Sequence, residues 1–187
     1  MNVEHFEIEG VLLFTPAKHG DERGSFSETF RADLAVRHGI TSPFVQDNQV
    51  YSRQMGVLRG LHFQTPPRAQ GKLVRCIRGA ILDVGVDIRS DSPSFGRHVA
   101  VELSAVNRRQ LWVPPGFAHG YLTLQDDCEV IYKVTDYYAP ECECGIAWDD
   151  PEIGIDWRLP HSAITLADKD RRLPRFAELS STFKFVL

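Results

Sequence analysis

Apolar residues recur at every second position along this chain, in short runs cut by eleven prolines and fourteen glycines. Period two is the repeat of an extended strand, whose side chains point alternately to opposite faces. The clearest run is Ala80 to Arg89. Leu82, Val84, Val86 and Ile88 share one face; Ile81, Asp83, Gly85 and Asp87 share the other. Arg97 to Ser104 repeats the pattern with Val99, Val101 and Leu103. Leu111 to Val113 stops at Pro114-Pro115-Gly116. Gly120 to Leu124, Glu129 to Asp136, Val11 to Phe14, Gly24 to Phe30, Phe44 to Tyr51 and Lys72 to Ile77 also read as extended. The segment Arg31 to His38, closed by Gly39, is the best helix candidate, and the tail from Pro174 to Leu187 reads as a turn or two.

Short strands at close spacing, with few helices to cover a parallel sheet, imply an all-β antiparallel architecture. A jelly roll or barrel fits best, and a β-sandwich is its nearest rival. The 187 residues suit a single domain. The net charge of -4 argues against nucleic acid, which demands a basic face, but leaves room for a small anion held by a few arginines. The N-terminal stretch is acidic and lacks an apolar core, and no apolar run approaches membrane length, so neither a signal peptide nor a span is expected. Cys76, Cys128, Cys142 and Cys144 include a C-x-C, not the C-x-x-C of common zinc or redox motifs, and read as reduced thiols of a cytoplasmic protein.

Strand parity groups several polar residues. His119 shares a face with Tyr121 and Thr123, His62 with Gly60 and Gln64, Lys72 with Val74 and Cys76, and Tyr132 with Val134, Asp136 and Tyr138. A barrel lined by such groups is costly unless they are paired or wet, which describes a ligand pocket better than a closed core. Parity alone leaves two readings open, because an outward face is polar too. His62, in Arg59-Gly60-Leu61-His62, is on this ground as much a structural histidine as a functional one.

Pro115-Gly116-Phe117-Ala118-His119-Gly120 is similar to the second cupin motif, whose histidine is a metal ligand in metal cupins. Their first motif carries H-x-H; here that place reads His62-Phe63-Gln64, and the next glutamate, Glu102, lies far downstream. Two imidazoles without a carboxylate make a poor site for zinc, iron or manganese, so no metal is expected. Acid–base chemistry fits the residue types better. A histidine takes a proton near neutral pH, a tyrosine returns one, and a lysine steadies the oxyanion between the two steps. G-x-S-x-G, a P-loop and G-x-G-x-x-G are missing, so hydrolase, kinase and dinucleotide readings lack support.

Taken together, Asp21-Glu22-Arg23-Gly24, Gln46-Asp47-Asn48, Leu58 to Gln64, Gly71 to Val74, Pro115 to Gly120, Tyr132-Lys133, Tyr137 to Glu141, Trp148 to Pro151 and Lys169-Asp170 carry a resemblance over nearly the whole chain. The chain resembles the dTDP-4-dehydrorhamnose 3,5-epimerase family, cupin-fold isomerases of deoxysugar biosynthesis. The resemblance implies a cupin-type jelly-roll barrel with short flanking helices, and a homodimer with exchanged N-terminal strands. It also implies inversion of C3 and C5 of dTDP-4-dehydro-6-deoxy-D-glucose through an enolate, giving dTDP-4-dehydro-L-rhamnose without cofactor or metal.

Matched position by position, the resemblance makes His62 the base, Asp170 its carboxylate partner (Asp168 being the nearby competitor), Tyr132 the opposite-face acid and Lys72 the enolate stabiliser. Arg23 and Arg59 take the diphosphate. His119 lines the sugar pocket. Glu28, Gln46, Asp47 and Asn48 frame the nucleotide end, the latter segment and Glu28 serving a neighbouring subunit's pocket. Tyr138 stacks on thymine, and Glu143 and Lys169 match further binding positions. Asp83 is expected to orient Lys72. Tyr121 stands where phenylalanine is common in the family, and its hydroxyl bears on whether one centre or both are inverted. A single-centre epimerase of a related sugar is therefore the alternative. A metal-dependent cupin and a non-catalytic sugar-nucleotide binder are the readings from other classes.

Overall fold

The computed structural model describes residues 1–179 and 183–184. Its strands are β1 (Asn2–His5), β2 (Leu12–Thr15), β3 (His19–Asp21), β4 (Gly24–Phe26), β5 (Gln46–Ser52), β6 (Leu58–Gln64), β7 (Lys72–Arg78), β8 (Ala80–Asp87), β9 (His98–Ser104), β10 (Gln110–Val113), β11 (Phe117–Thr123), β12 (Cys128–Val134) and β13 (Glu143–Gly145). One short helix, α1 (Ala32–Arg37), falls inside the expected segment. The expected runs are all present with shifted ends. β6 was anticipated only through the shared face of Gly60, His62 and Gln64, and parity gave no warning of β1, β3 or β13. The tail forms a 3-10 turn at Phe176–Glu178, and the rest of that expectation falls largely on 180–182 and 185–187, outside the described residues.

The strands form a six-stranded sheet in the order β1-β2-β10-β7-β12-β5 and a five-stranded sheet in the order β13-β6-β11-β8-β9. Neighbours in both are antiparallel, and most are distant in sequence, which is the weave of a jelly roll. The hairpin β3-β4 stands apart as a two-stranded unit.

Three apolar clusters hold these layers. Between the sheets, Val74, Cys76 and Leu111 of one meet Ile81, Val101, Leu103 and Phe117 of the other. Outside the five-stranded sheet, Leu82, Val84 and Val86 pack against Ile146, Trp157 and Phe176 of the C-terminal third. Outside the six-stranded sheet, Leu12, Phe14 and Trp112 take Ala35 of α1 and Ile40. All eight residues of β8 are buried: the outer cover encloses Leu82, Val84 and Val86, while Ile81 and the polar residues that share its parity face the space between the sheets. Asp83 and Asp87 therefore lie inside the protein, and each has to be partnered. No helix of the described residues is long and apolar enough to cross a membrane.

Candidate active site

A cavity of about 240 Å³ opens between the two sheets. The five-stranded sheet supplies His62, Phe63 and Gln64 from β6 and Glu143 from β13; the six-stranded sheet supplies Gln46 and Asn48 from β5, Lys72 from β7 and Tyr132 from β12. Gln70 and Tyr138 complete its rim. His62 and Tyr132 thus reach one space from opposite walls.

His62 Nε2 lies 2.8 Å from Asp170 Oδ1. Asp170 sits in a 3-10 turn, Asp170–Arg172, and is 3% exposed. Its Oδ2 also faces the Gly60 amide at 3.4 Å. Burial pushes the Asp170 carboxyl up, but the hydrogen bond and charge of His62 and the Gly60 N–H outweigh it and hold the group below its ordinary value. Asp168, the competitor, is exposed.

Lys72 is pushed down to about 8 by desolvation, against the opposing charges of Asp83 and Glu143. Its ammonium donates to the His62 carbonyl at 3.2 Å. Burial raises the Tyr132 phenol, which the nearby positive charge of Arg59 partly offsets. Arg59 is itself exposed, on β6.

At the rim the Tyr138 hydroxyl donates to Glu143 Oε2 at 2.8 Å, and Lys169 Nζ donates to Glu143 Oε1 at 3.0 Å. Burial alone would raise the Glu143 carboxyl, but these two donors hold it below its ordinary value. The Tyr138 amide donates to Gln46 Oε1 at 3.1 Å, and Gln46 Nε2 donates to Asn48 Oδ1 at 2.8 Å. β12 ends at Val134, so Tyr138 reaches the rim through a loop and not by sharing a strand face with Tyr132.

Other expected residues lie elsewhere. Asp47 falls on the opposite face of β5 from Gln46 and Asn48, and Lys133 donates to both its oxygens at 2.9 Å. Arg23 is in the β3-β4 hairpin, paired with Asp21 at 2.6 Å and with 90% of its side chain exposed. Glu28 is exposed beside Arg31. His119 is buried behind the cavity, with Nε2 2.8 Å from Asp83 Oδ1. The hydrogen bond of Asp83 thus goes to His119 and not to Lys72.

Three lining residues, Phe63, Gln64 and Gln70, were given no role beforehand. Gln64 Nε2 donates to the carbonyls of Arg68 and Tyr137, and its Oε1 accepts from the Ala139 amide, which ties the rim loop to β6. Its shared parity with His62 was the available signal. Gln70 donates to the Asp136 carbonyl from a loop, where no periodicity marks it. Among the described residues no three His, Cys, Asp or Glu side chains gather as a metal ion would require.

A family model described as dTDP-4-dehydrorhamnose 3,5-epimerase matches residues 5–178. The dTDP-4-dehydrorhamnose 3,5-epimerase of Escherichia coli strain K12 is 52% identical over 181 residues, 96% of this chain and 96% of that protein. The crystal structure of dTDP-6-deoxy-D-glucose-3,5-epimerase from Legionella pneumophila, in complex with dTDP-4-keto-L-rhamnose, is 42% identical and covers 100% of this chain and 99% of its own, with a TM-score of 0.94. ChmJ from Streptomyces bikiniensis, a 3'-monoepimerase in complex with dTDP-quinovose, is 35% identical, covers 92% of this chain and 86% of its own, and has a TM-score of 0.83.

Proposed function

The chain belongs to the dTDP-4-dehydrorhamnose 3,5-epimerase family, and from that membership we propose that it inverts C3 and C5 of dTDP-4-dehydro-6-deoxy-D-glucose to give dTDP-4-dehydro-L-rhamnose. It is an isomerase of nucleotide-sugar metabolism. The observation that carries the mechanism is the His62–Asp170 pair on one wall of the cavity and Tyr132 on the other.

With Nε2–H donated to Asp170, the Nδ1 of His62 keeps a lone pair for the proton beside the ketone. Removing that proton sends the electron pair into an enolate, whose oxygen is stabilised by the Lys72 ammonium. Tyr132 then delivers a proton from the other wall. Repeated at the second carbon beside the ketone, the exchange inverts both centres. The chemistry asks for no cofactor or metal.

Binding follows the same layout. The exposed ring of Tyr138, held by Glu143, is suited to stacking on thymine, while Lys169, Gln46 and Asn48 meet the nucleotide end. Arg59, exposed near Tyr132, takes the diphosphate. Arg23 and Glu28 lie off this chain's cavity, and Phe26 beside them is 68% exposed. A homodimer with exchanged N-terminal strands brings these residues to the partner's cavity, with Asp47 at the same subunit boundary. A cytoplasmic location, where nucleotide sugars are made, belongs to this reading.

Substrate incubated with enzyme in deuterated water tests it. Label at both C3 and C5 is expected; label at one carbon alone overturns the two-centre reading. The single-centre alternative draws on Tyr121, whose buried hydroxyl has no hydrogen-bond partner, and on the likeness to a 3'-monoepimerase.

A further inference from the structure

Asp83 is in the middle of β8 with 0% exposure. A carboxylate in such a place costs stability unless its oxygens are matched. Oδ1 receives the Nε2–H of His119 at 2.8 Å, while Oδ2 has no hydrogen-bond partner. Directly across the ladder on β11 is Tyr121, whose hydroxyl is also buried and unpartnered. Strand parity sends Asp83, His119 and Tyr121 into the space between the sheets.

The other wall of that space carries Lys72. Desolvation pushes its ammonium down to about 8, and Asp83 is the largest charge opposing that fall. Glu143 on β13 adds a smaller contribution, and the His62 carbonyl on β6 accepts one of the three donors. Tyr121 and Tyr132 have phenols raised by burial and Cys76 a thiol raised by burial to about 12, so all three are neutral near pH 7, and the cation Arg59 acts on both tyrosines.

We infer that Asp83 is a positioning residue of the epimerisation, fixing the His119 ring through Oδ1 and supplying the negative charge that keeps Lys72 cationic beside the ketone oxygen. The inference rests on the epimerase reading above. His119 and His62 are partners in the β6–β11 ladder, and each has its own buried carboxylate. The two pairs then divide the work. Asp170 makes His62 a base, and Asp83 equips the site for the charge that the base creates. A cation poised in a water-poor cavity stabilises an oxyanion strongly, but only while it is protonated.

Asp83→Asn keeps the shape and removes the charge. Its kcat for substrate is expected to fall about 100-fold with KM little changed, because the enolate forms only after binding. The alkaline limb of kcat, set by Lys72 near 8 in the parent, is expected to move down by about one pH unit or more. A folded variant with the parent's kcat and alkaline limb overturns the inference. If the variant does not fold, nitrogen-15 NMR of the parent's histidines decides: His119 carrying its proton on Nε2 supports the assignment, and a His119 protonated on Nδ1 alone overturns it. A parent that incorporates no deuterium defeats the epimerase reading instead, a result distinct from either.

Discussion

Asp170 Oδ1 lies 2.8 Å from His62 Nε2, although 108 positions of sequence separate the two residues. The contact joins a strand of the five-stranded sheet to a turn near the end of the chain, and it leaves one nitrogen of His62 free to act. Asp170→Asn removes the charge that orients and supports the imidazole, so kcat/KM is expected to fall about 100-fold or more in a steady-state assay. Stability gives a second readout. The Asp170 carboxyl is held below its ordinary 3.8, so the folded state binds fewer protons there than the unfolded chain. The stabilisation is present above pH 3.8 and is lost as pH falls through the lower, folded value. The gap in urea midpoint between parent and variant is expected at pH 6 and narrows below pH 3.8.

Tyr132→Phe leaves the base in place and removes the opposite-face acid. Proton exchange with solvent on the His62 face is expected to persist, while formation of inverted product drops by about 100-fold or more. Proton NMR in deuterated water follows both in one sample. Equal loss of the two signals would count against separate walls for base and acid.

Lys72→Met is expected to abolish turnover and yet stabilise the fold. The Lys72 ammonium is depressed to about 8 from 10.5, so the unfolded chain binds the extra proton between those values. The cost of the desolvated cation is therefore full below pH 8 and fades as pH rises towards 10.5. At pH 7 the variant gains on the order of 2–3 kcal/mol in urea unfolding, and that gain shrinks by pH 10.

Gly60→Ala is expected to destabilise the protein by about 2 kcal/mol or more, because Gly60 has φ +117° and an added Cβ would meet Gly120 Cα at 2.6 Å and the His119 carbonyl at 2.7 Å. Both obstacles are backbone and cannot rotate away. The strain falls where β6 passes β11, so activity is expected to drop with the thermal midpoint.

Tyr138→Ala tests the rim. Loss of a base-stacking ring is expected to raise KM about 10-fold with kcat nearly unchanged, since the contact is equally present before and during the reaction. Tyr138→Phe, which loses only the hydrogen bond to Glu143, is expected to raise KM far less.

Much of this site was legible from local pattern. Parity along β7, β11 and β12 put Lys72, His119 and Tyr132 on faces that turn inward. The jelly roll followed from short alternating runs, because a half-buried strand has to repeat with period two. Tyr138 shows the limit of the same rule, since counting parity from Tyr132 ran past the end of β12 into a loop. β8 shows another: parity put Asp83 and Asp87 on one face, but it did not show that both faces of the strand are buried or that Asp83 pairs with His119.

The sequence by itself determined most of the strands, the all-β class, the absence of a first H-x-H and, through motif order, the family. Those properties depend on residues near one another in the chain. Only the tertiary structure decided the surroundings of His62, which by parity alone was a histidine beside a glycine with an equal claim to a structural role. Asp170 comes to it from a remote turn, Tyr132 faces it from the other sheet, and Asp83 turns to His119 instead of Lys72. Pairings of that kind arise from strand order in two packed sheets, and strand order is set by long-range burial that no local period records.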